Sequence, residues 1–291
     1  MKWFSGVEDV RRFSREARAA GRRVGLVPTM GYLHDGHLAL VRTLRAEADV
    51  VILSIFVNPL QFAPNEDFER YPRDLEHDRR LAEAAGVDAV FAPGVADMYP
   101  VSAETYVEIP TLSARLDGES RPTHFRGVTT VVTKLFLATE PDVAAFGQKD
   151  AQQAVIIKRM VRELLFPVRI VVVPTVREPD GLALSSRNVY LSPEERRAAP
   201  ALWRALGVGE RRIREGERDP AAVEAAMAAV LAAEPLVRPE YARVLNLDEL
   251  VPVPTIAGRL LLAVAARVGP ARLIDNICLA VEGDRVESTL P

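Results

Sequence analysis

Apolar positions in the first 175 residues fall into short closed runs that alternate with amphipathic stretches. Val24 to Thr29 and Val50 to Val57 are nearly uninterrupted apolar runs, the pattern of parallel strands buried on both faces. Leu38 to Ala48 repeats its apolar residues at helical spacing, and Asp74 to Ala85 is a charged helix leading to a short strand, Asp88 to Ala92. Phe125 to Ala138 is helical by period and Val143 to Phe146 a strand; a helix over Ala151 to Leu165 and a strand over Val168 to Val173 complete the series. This rhythm predicts a Rossmann-like, doubly wound parallel sheet, whose ligands sit at the carboxyl ends of the strands.

Pro174 and the Asp180-Gly181 turn break the pattern. Two Ala/Arg-rich helices follow, near Pro193 to Arg214 and Pro220 to Ala233, then strand-like runs at Tyr241–Leu245, Leu260–Val264 and Arg272–Ala280. The expected organisation is an α/β domain over 1–175 and a smaller α+β domain over 176–291. Neither a G-x-G-x-x-G fingerprint nor a Walker loop occurs, so nucleotide binding needs another device.

Composition narrows the function. A net charge of -3 gives no electrostatic reason to expect nucleic acid or an anionic membrane as partner. No apolar run reaches the ~20 residues of a bilayer span, the segment from Met1 to Arg12 lacks a signal peptide's apolar core, and Cys278 stands alone; a cytoplasmic enzyme is expected. Cys278 lies in an apolar run and reads as buried filler. Lysine and glutamine each occur only four times, and Gln61, Gln148, Lys149, Gln152 and Gln153 crowd into two short segments. Rare residues kept in an arginine-rich background are candidates for specific chemistry.

Four segments carry that chemistry. The strand ending at Thr29 runs through Met30 and Gly31 to His34 and His37, where a helix starts. Two imidazoles over free backbone N–H groups at the positive end of a helix dipole make an anion site, and Gly31 and Gly36 allow close backbone approach. Zinc is disfavoured, because no carboxylate or thiol stands at ligand spacing. Asn58 and Gln61, after the second strand, can hydrogen-bond a polar substrate without net charge, although Asn-Pro alone also reads as a turn. In Gly147-Gln148-Lys149-Asp150, Lys149 can neutralise phosphate and Asp150 can accept from ribose hydroxyls, with Gln153 on the same helical face; capping by Asp150 is the bland alternative. Leu184-Ser185-Ser186-Arg187 suits a loop closing over a triphosphate. Arg121 and His124 before a helix read equally as ligands or as a capping turn, and His77 on a charged face reads as solvated.

The blocks PTMGYLHDGH (28–37), SIFVNPLQF (54–62), RPTHFRGV (121–128), FGQKDAQQ (146–153) and PTVREPDGLALSSRN (174–188) resemble the pantothenate synthetase (pantoate–β-alanine ligase) family in order and spacing. Gln148, Ala151 and Leu184 stand where that family frequently has Glu, Tyr and Met. The resemblance implies condensation of pantoate with β-alanine through a pantoyl adenylate, with ATP and Mg²⁺, in a cytoplasmic homodimer whose second domain closes over the site. By position it implies His34, His37, Lys149 and Arg187 as catalytic, His37 being the proton donor. ATP would meet Met30, Gly31, Gly147, Gln148, Asp150, Val176, Leu184, Ser185 and Ser186 as well as those four. Gln61, Gln153, Met30, Asn58, Arg121 and His124 would hold pantoate or β-alanine. A nucleotidylyltransferase, a truncated aminoacyl-tRNA synthetase or a non-catalytic nucleotide-binding module shares only part of this set.

Overall fold

The computed structural model describes residues 1–64, 66–100 and 104–291. The chain divides into two compact units, one of residues 1–147 and 152–173, the other of 148–151 and 174–291.

The first unit runs β1 (Lys2–Phe4), α1 (Val7–Ala19), β2 (Val24–Thr29), α2 (Asp35–Arg45), β3 (Val50–Ile55), α3 (Leu75–Ala84) and β4 (Ala89–Phe91). Short helices α4 (Val95–Met98), α5 (Pro110–Ser113) and α6 (Asp117–Ser120) lead to α7 (His124–Thr139), β5 (Val143–Gly147), α8 (Ala151–Glu163) and β6 (Arg169–Val173). Among the described residues the strands form one sheet in the order β1-β4-β3-β2-β5-β6, every neighbouring pair parallel. Strand order reverses between β2 and β5, the switch point where such sheets open a crevice. Leu40, Val41 and Leu44 of α2 pack into one core with Val27, Val51, Leu53 and Val143, while α1 and α7 touch each other and β2. Every residue of β3 is buried, as its unbroken apolar run requires.

The second unit holds α9 (Pro193–Ala198), α10 (Ala201–Arg214), α11 (Pro220–Ala232) and β7 (Val237–Asn246), β8 (Gly258–Val268), β9 (Ala271–Glu282) and β10 (Arg285–Ser288). These strands make an antiparallel meander, β10-β9-β8-β7. Leu202, Leu206 and Ile213 of α10 and Val223, Met227 and Leu231 of α11 join Leu260, Leu262 and Val264 in its core. The helix expected from Pro193 to Arg214 is two helices. Pro200, the N-cap of α10, has no N–H with which to continue α9. Cys278 is 2% exposed, as its apolar run implied, and burial first of all pushes its thiol up to about 12.

Residues 148–151 group with the second unit, whereas a single cut near Thr175 leaves them in the first. The cause is Asn276 on β9, whose side-chain amide donates to the carbonyls of Gln148 (3.0 Å) and Lys149 (2.9 Å).

Candidate active site

The loop after β2 is fixed from beneath. Asp78 of α3, 1% exposed, accepts from the backbone N–H groups of Tyr32 (2.9 Å) and Leu33 (2.7 Å). Burial raises its carboxyl above the usual range, against the pull of those two hydrogen bonds. Gly31 has φ +82°, and a Cβ there would stand 2.8 Å from Asp78 Oδ2 and 2.9 Å from Ile55 Cγ2, so only glycine fits. His77 is not merely solvated, for its Nε2 lies 3.2 Å from the Leu33 carbonyl.

His34 is the N-cap of α2 and forms a capping box with His37. His34 Nδ1 accepts from Gly36 N–H at 3.2 Å and His37 Nδ1 from His34 N–H at 3.3 Å, with ring centroids 4.1 Å apart. Two amides of this helix start, those of His34 and Gly36, are thus taken up by the rings themselves. Backbone amides can only donate, so with Nδ1 accepting, Nε2 is the nitrogen of each ring left to carry a proton and donate. Met30, immediately upstream, is partly buried.

After β3, Pro59–Gln61 forms a 3-10 turn that packs on α7. Asn58 is 0% exposed and its amide is consumed internally, the arrangement of the turn reading. Asn58 Nδ2 donates to Gln61 Oε1 (2.9 Å) and the Gly127 carbonyl (3.0 Å), and its Oδ1 accepts from Leu60 N–H (3.3 Å) and the Tyr99 hydroxyl (2.7 Å). Arg121 and His124 likewise turn to the Gln61 backbone, not outward. Arg121 Nη2 (3.0 Å) and His124 Nδ1 (2.9 Å) meet the Gln61 carbonyl, and Arg121 pairs bidentately with Glu66 at 2.6 and 2.7 Å. Burial pushes Glu66 up, but the Arg121 hydrogen bonds and charge outweigh it and hold the carboxyl below its usual range. Burial, then repulsion from Arg121, drops His124 to about 4.

The rare residues divide. Gln153 is half-buried on α8, but Gln152 is structural: it is 5% exposed, donates to the carbonyls of Leu112 (3.0 Å) and Arg115 (2.5 Å), and accepts from Asp117 N–H (3.1 Å). Lys134 donates to the Met98 carbonyl at 2.6 Å and lies 5.0 Å from the centre of the Tyr99 ring. At the end of β5, a Cβ on Gly147 would meet nothing within 4 Å, which leaves its backbone approachable.

In the second unit, Lys149 lies in the 3-10 turn Gln148–Asp150 with its side chain 21% exposed and Nζ 3.9 Å from Asp150 Oδ1. Gln148 is turned inward, Nε2 3.4 Å from Asn276 Oδ1. Asp275, next to Asn276, pairs bidentately with Arg177 (2.6 and 3.0 Å), whose guanidinium sits 3.8 Å from the Trp203 ring centre. Arg177 is the residue after Val176, whose carbonyl accepts from Leu184 N–H at 3.0 Å, closing the hairpin through the Asp180-Gly181 turn. Ser185 caps the 3-10 turn Ser186–Tyr190 by accepting from Arg187 N–H, 3.3 Å. Asp78, Tyr99, Glu66 and Asn276 were not singled out in the sequence, since each works by holding another residue and none carries a motif.

A doubly wound parallel sheet with polar side chains and a histidine-capped helix at its strand ends defines a Rossmann-like α/β enzyme. The family model "Pantoate-beta-alanine ligase" matches residues 2–278, and the chain belongs to that family. It is 58% identical over 281 residues to the pantothenate synthetase of Moorella thermoacetica, covering 97% of this chain and 99% of the relative. The crystal structure of pantothenate synthetase from Thermus thermophilus matches with a TM-score of 0.88 at 50% identity, covering 95% of this chain and 98% of that one. A pantoate-β-alanine ligase from Francisella tularensis, crystallised with β,γ-ATP and β-alanine, matches with a TM-score of 0.78 at 33% identity, covering 95% and 97%.

Proposed function

We propose that the protein joins pantoate to β-alanine in two steps through a pantoyl adenylate. In the first, a pantoate carboxylate oxygen attacks the α-phosphorus of ATP and pyrophosphate leaves. In the second, the β-alanine amine attacks the acyl carbon, loses a proton and expels AMP. The observation that carries this reading is the pairing, at the ends of adjacent strands β2 and β3, of two imidazole donor edges with a neutral amide, Gln61. Donor edges suit phosphate oxygens. A neutral amide holds a carboxylic acid without the tight ground-state binding that a cation would impose.

In this reading His34 and His37 donate from Nε2 to phosphate oxygens. Because Nδ1 is occupied by a backbone N–H, a doubly protonated ring would have to break its cap, so the histidines stabilise charge as neutral donors. Lys149 and Arg187, with Ser185 and Ser186, meet phosphate charge; Gly147 and Asp150 hold ribose, and the backbone at Val176 holds adenine. Gln61, Gln153 and the Met30 backbone hold pantoate. Mg²⁺ would arrive with ATP, since it ordinarily keeps waters and binds through substrate phosphates. A homodimer and a cytoplasmic location complete the reading, and among the described residues no helix is long and apolar enough to cross a membrane.

Isotope exchange between pyrophosphate and ATP tests the two steps. Exchange should require pantoate and proceed without β-alanine, and AMP should accumulate over many turnovers only when both acids are present. Exchange that needs β-alanine would sink the adenylate.

A further inference from the structure

We infer that Asn58, braced by Tyr99, locks the Gln61 side chain as a one-way hydrogen-bond donor, so that the acid site accepts an oxygen and turns away an ammonium at the same position. This rests on the reading above that Gln61 holds pantoate, with its donor edge taken to meet the 2-hydroxyl.

Two backbone groups settle which end of the Asn58 amide is which. Leu60 N–H can only donate, and it reaches Oδ1 at 3.3 Å; the Gly127 carbonyl can only accept, and it stands 3.0 Å from Nδ2. The orientation therefore does not depend on a choice between look-alike nitrogen and oxygen atoms. The second Nδ2 hydrogen is left to point at Gln61, 2.9 Å away, and the atom that receives it must be Oε1. Turning Gln61 over would face NH₂ against NH₂ inside a residue pair that is 0% and 9% exposed. An unsatisfied buried donor makes the turned-over form rarer by a factor on the order of 10 to 100. The Gln61 main chain cannot swing to compensate, because His124 and Arg121 hold its carbonyl.

Tyr99 closes the chain of bonds from the far side. Its hydroxyl takes the remaining lone pair of Asn58 Oδ1 at 2.7 Å, and its ring is kept in place by Phe56 (6.1 Å between centroids) and the Lys134 ammonium. Burial lifts its phenol above the ordinary value, against the Asn58 bond, so it stays protonated. Tyr99 and Asn58 are positioning residues. What they leave at the site is the Gln61 Nε2 edge, two N–H donors and no acceptor. A hydroxyl, carbonyl or carboxylate oxygen can satisfy it; an ammonium, which has no lone pair, cannot.

Pyrophosphate–ATP exchange at about pH 8 with pantoate and with its 2-amino analogue reads the polarity. Wild type should favour the hydroxy acid in kcat/KM by on the order of 10²-fold or more, the scale set by unpaired polar groups in a built site. Gln61→Glu keeps an oxygen for Asn58 Nδ2 but presents a carboxylate outward, so the hydroxy-to-amino ratio should fall by at least ~10-fold, by the same reasoning. Tyr99→Phe should raise KM for pantoate several-fold with KM for ATP and exchange kcat nearly unchanged. A Gln61→Glu enzyme that loses rate yet keeps the wild-type ratio overturns the donor lock. An unchanged pantoate KM in Tyr99→Phe removes Tyr99 from it. Gln61→Ala with unaltered pantoate KM would instead remove Gln61 from the acid site, and the reading on which the lock depends falls with it.

Discussion

At the scale of single residues, the histidine pair has a structural duty beside the chemical one proposed for it. His34 caps α2 through Nδ1, so His34→Ala removes a cap as well as an imidazole, and the cap alone is worth about 0.5–2 kcal/mol. Asparagine is a strong N-cap and separates the two duties. His34→Asn should unfold within a few degrees of wild type, while pyrophosphate–ATP exchange falls on the order of 10²-fold, the scale of one lost transition-state donor. His37→Ala should lose at least as much rate. Melting curves and exchange rates on the three variants check this. Near-normal exchange in His34→Asn would leave His34 as a cap and nothing more.

At the scale of elements, the turn at 58–61, proposed to hold the acid, depends on how closely α7 approaches it. A Cβ on Gly127 would stand 2.2 Å from the Leu60 carbonyl oxygen and 2.8 Å from the Gln61 backbone nitrogen, so α7 can lie there only without a side chain. Gly127→Ala must push α7 or the turn aside. Overpacking of this kind costs about 1–3 kcal/mol, and because the same shift moves Asn58 and Gln61, pantoate KM should rise far more than ATP KM. Equal rises in both, or neither, would detach α7 from the acid site.

The legibility of the sequence differs at this scale for a physical reason. Strands β2, β3 and β5 are buried on both faces, and their apolar runs marked them to within two residues. Elements stabilised by few apolar contacts left no such mark. Strand β1 has three residues, α1 buries only Val10, Ser14 and Ala17, and β10 is an exposed edge. At the candidate site, the residues proposed to meet ligand came with motifs, whereas Asp78, Tyr99, Glu66 and Asn276 are legible only in the fold. The sequence left two readings open for Asn58, Arg121 and His124, ligand or turn and cap, and the fold shows their side chains bonded to the Gln61 side chain and carbonyl. Spacing along a chain cannot tell a side chain that binds from one that holds the binder.

For the whole molecule, a net charge of -3 and numerous exposed ion pairs leave pH dependence to the buried groups, since each surface pair contributes little. Asp78 and Asp275, buried, and His124, partly buried, shift with differing signs. Asp78 and Asp275 are raised, chiefly by burial; folding there takes up protons, so their contribution to stability increases as pH falls through the folded pKa. His124 works the other way. Its folded pKa is about 4 against 6.5 for the unconstrained ring, so between those values the unfolded chain is protonated and the folded one is not. Stability is therefore lost as pH drops from 6.5 to about 4 and levels off below. The loss is about 3 kcal/mol at most. Glutamine at 124 cannot titrate and can still donate to the Gln61 carbonyl, so His124→Gln should lose less stability than wild type across that window and match its slope above pH 7. Denaturant unfolding followed by Trp3, with Trp203 replaced by phenylalanine so that only the first unit reports, would measure the difference. Parallel wild-type and variant curves from pH 7 to 4 would mean that His124 takes its proton in the folded protein as readily as in the unfolded chain, and the part-buried clamp on Gln61 would then be solvated and loose.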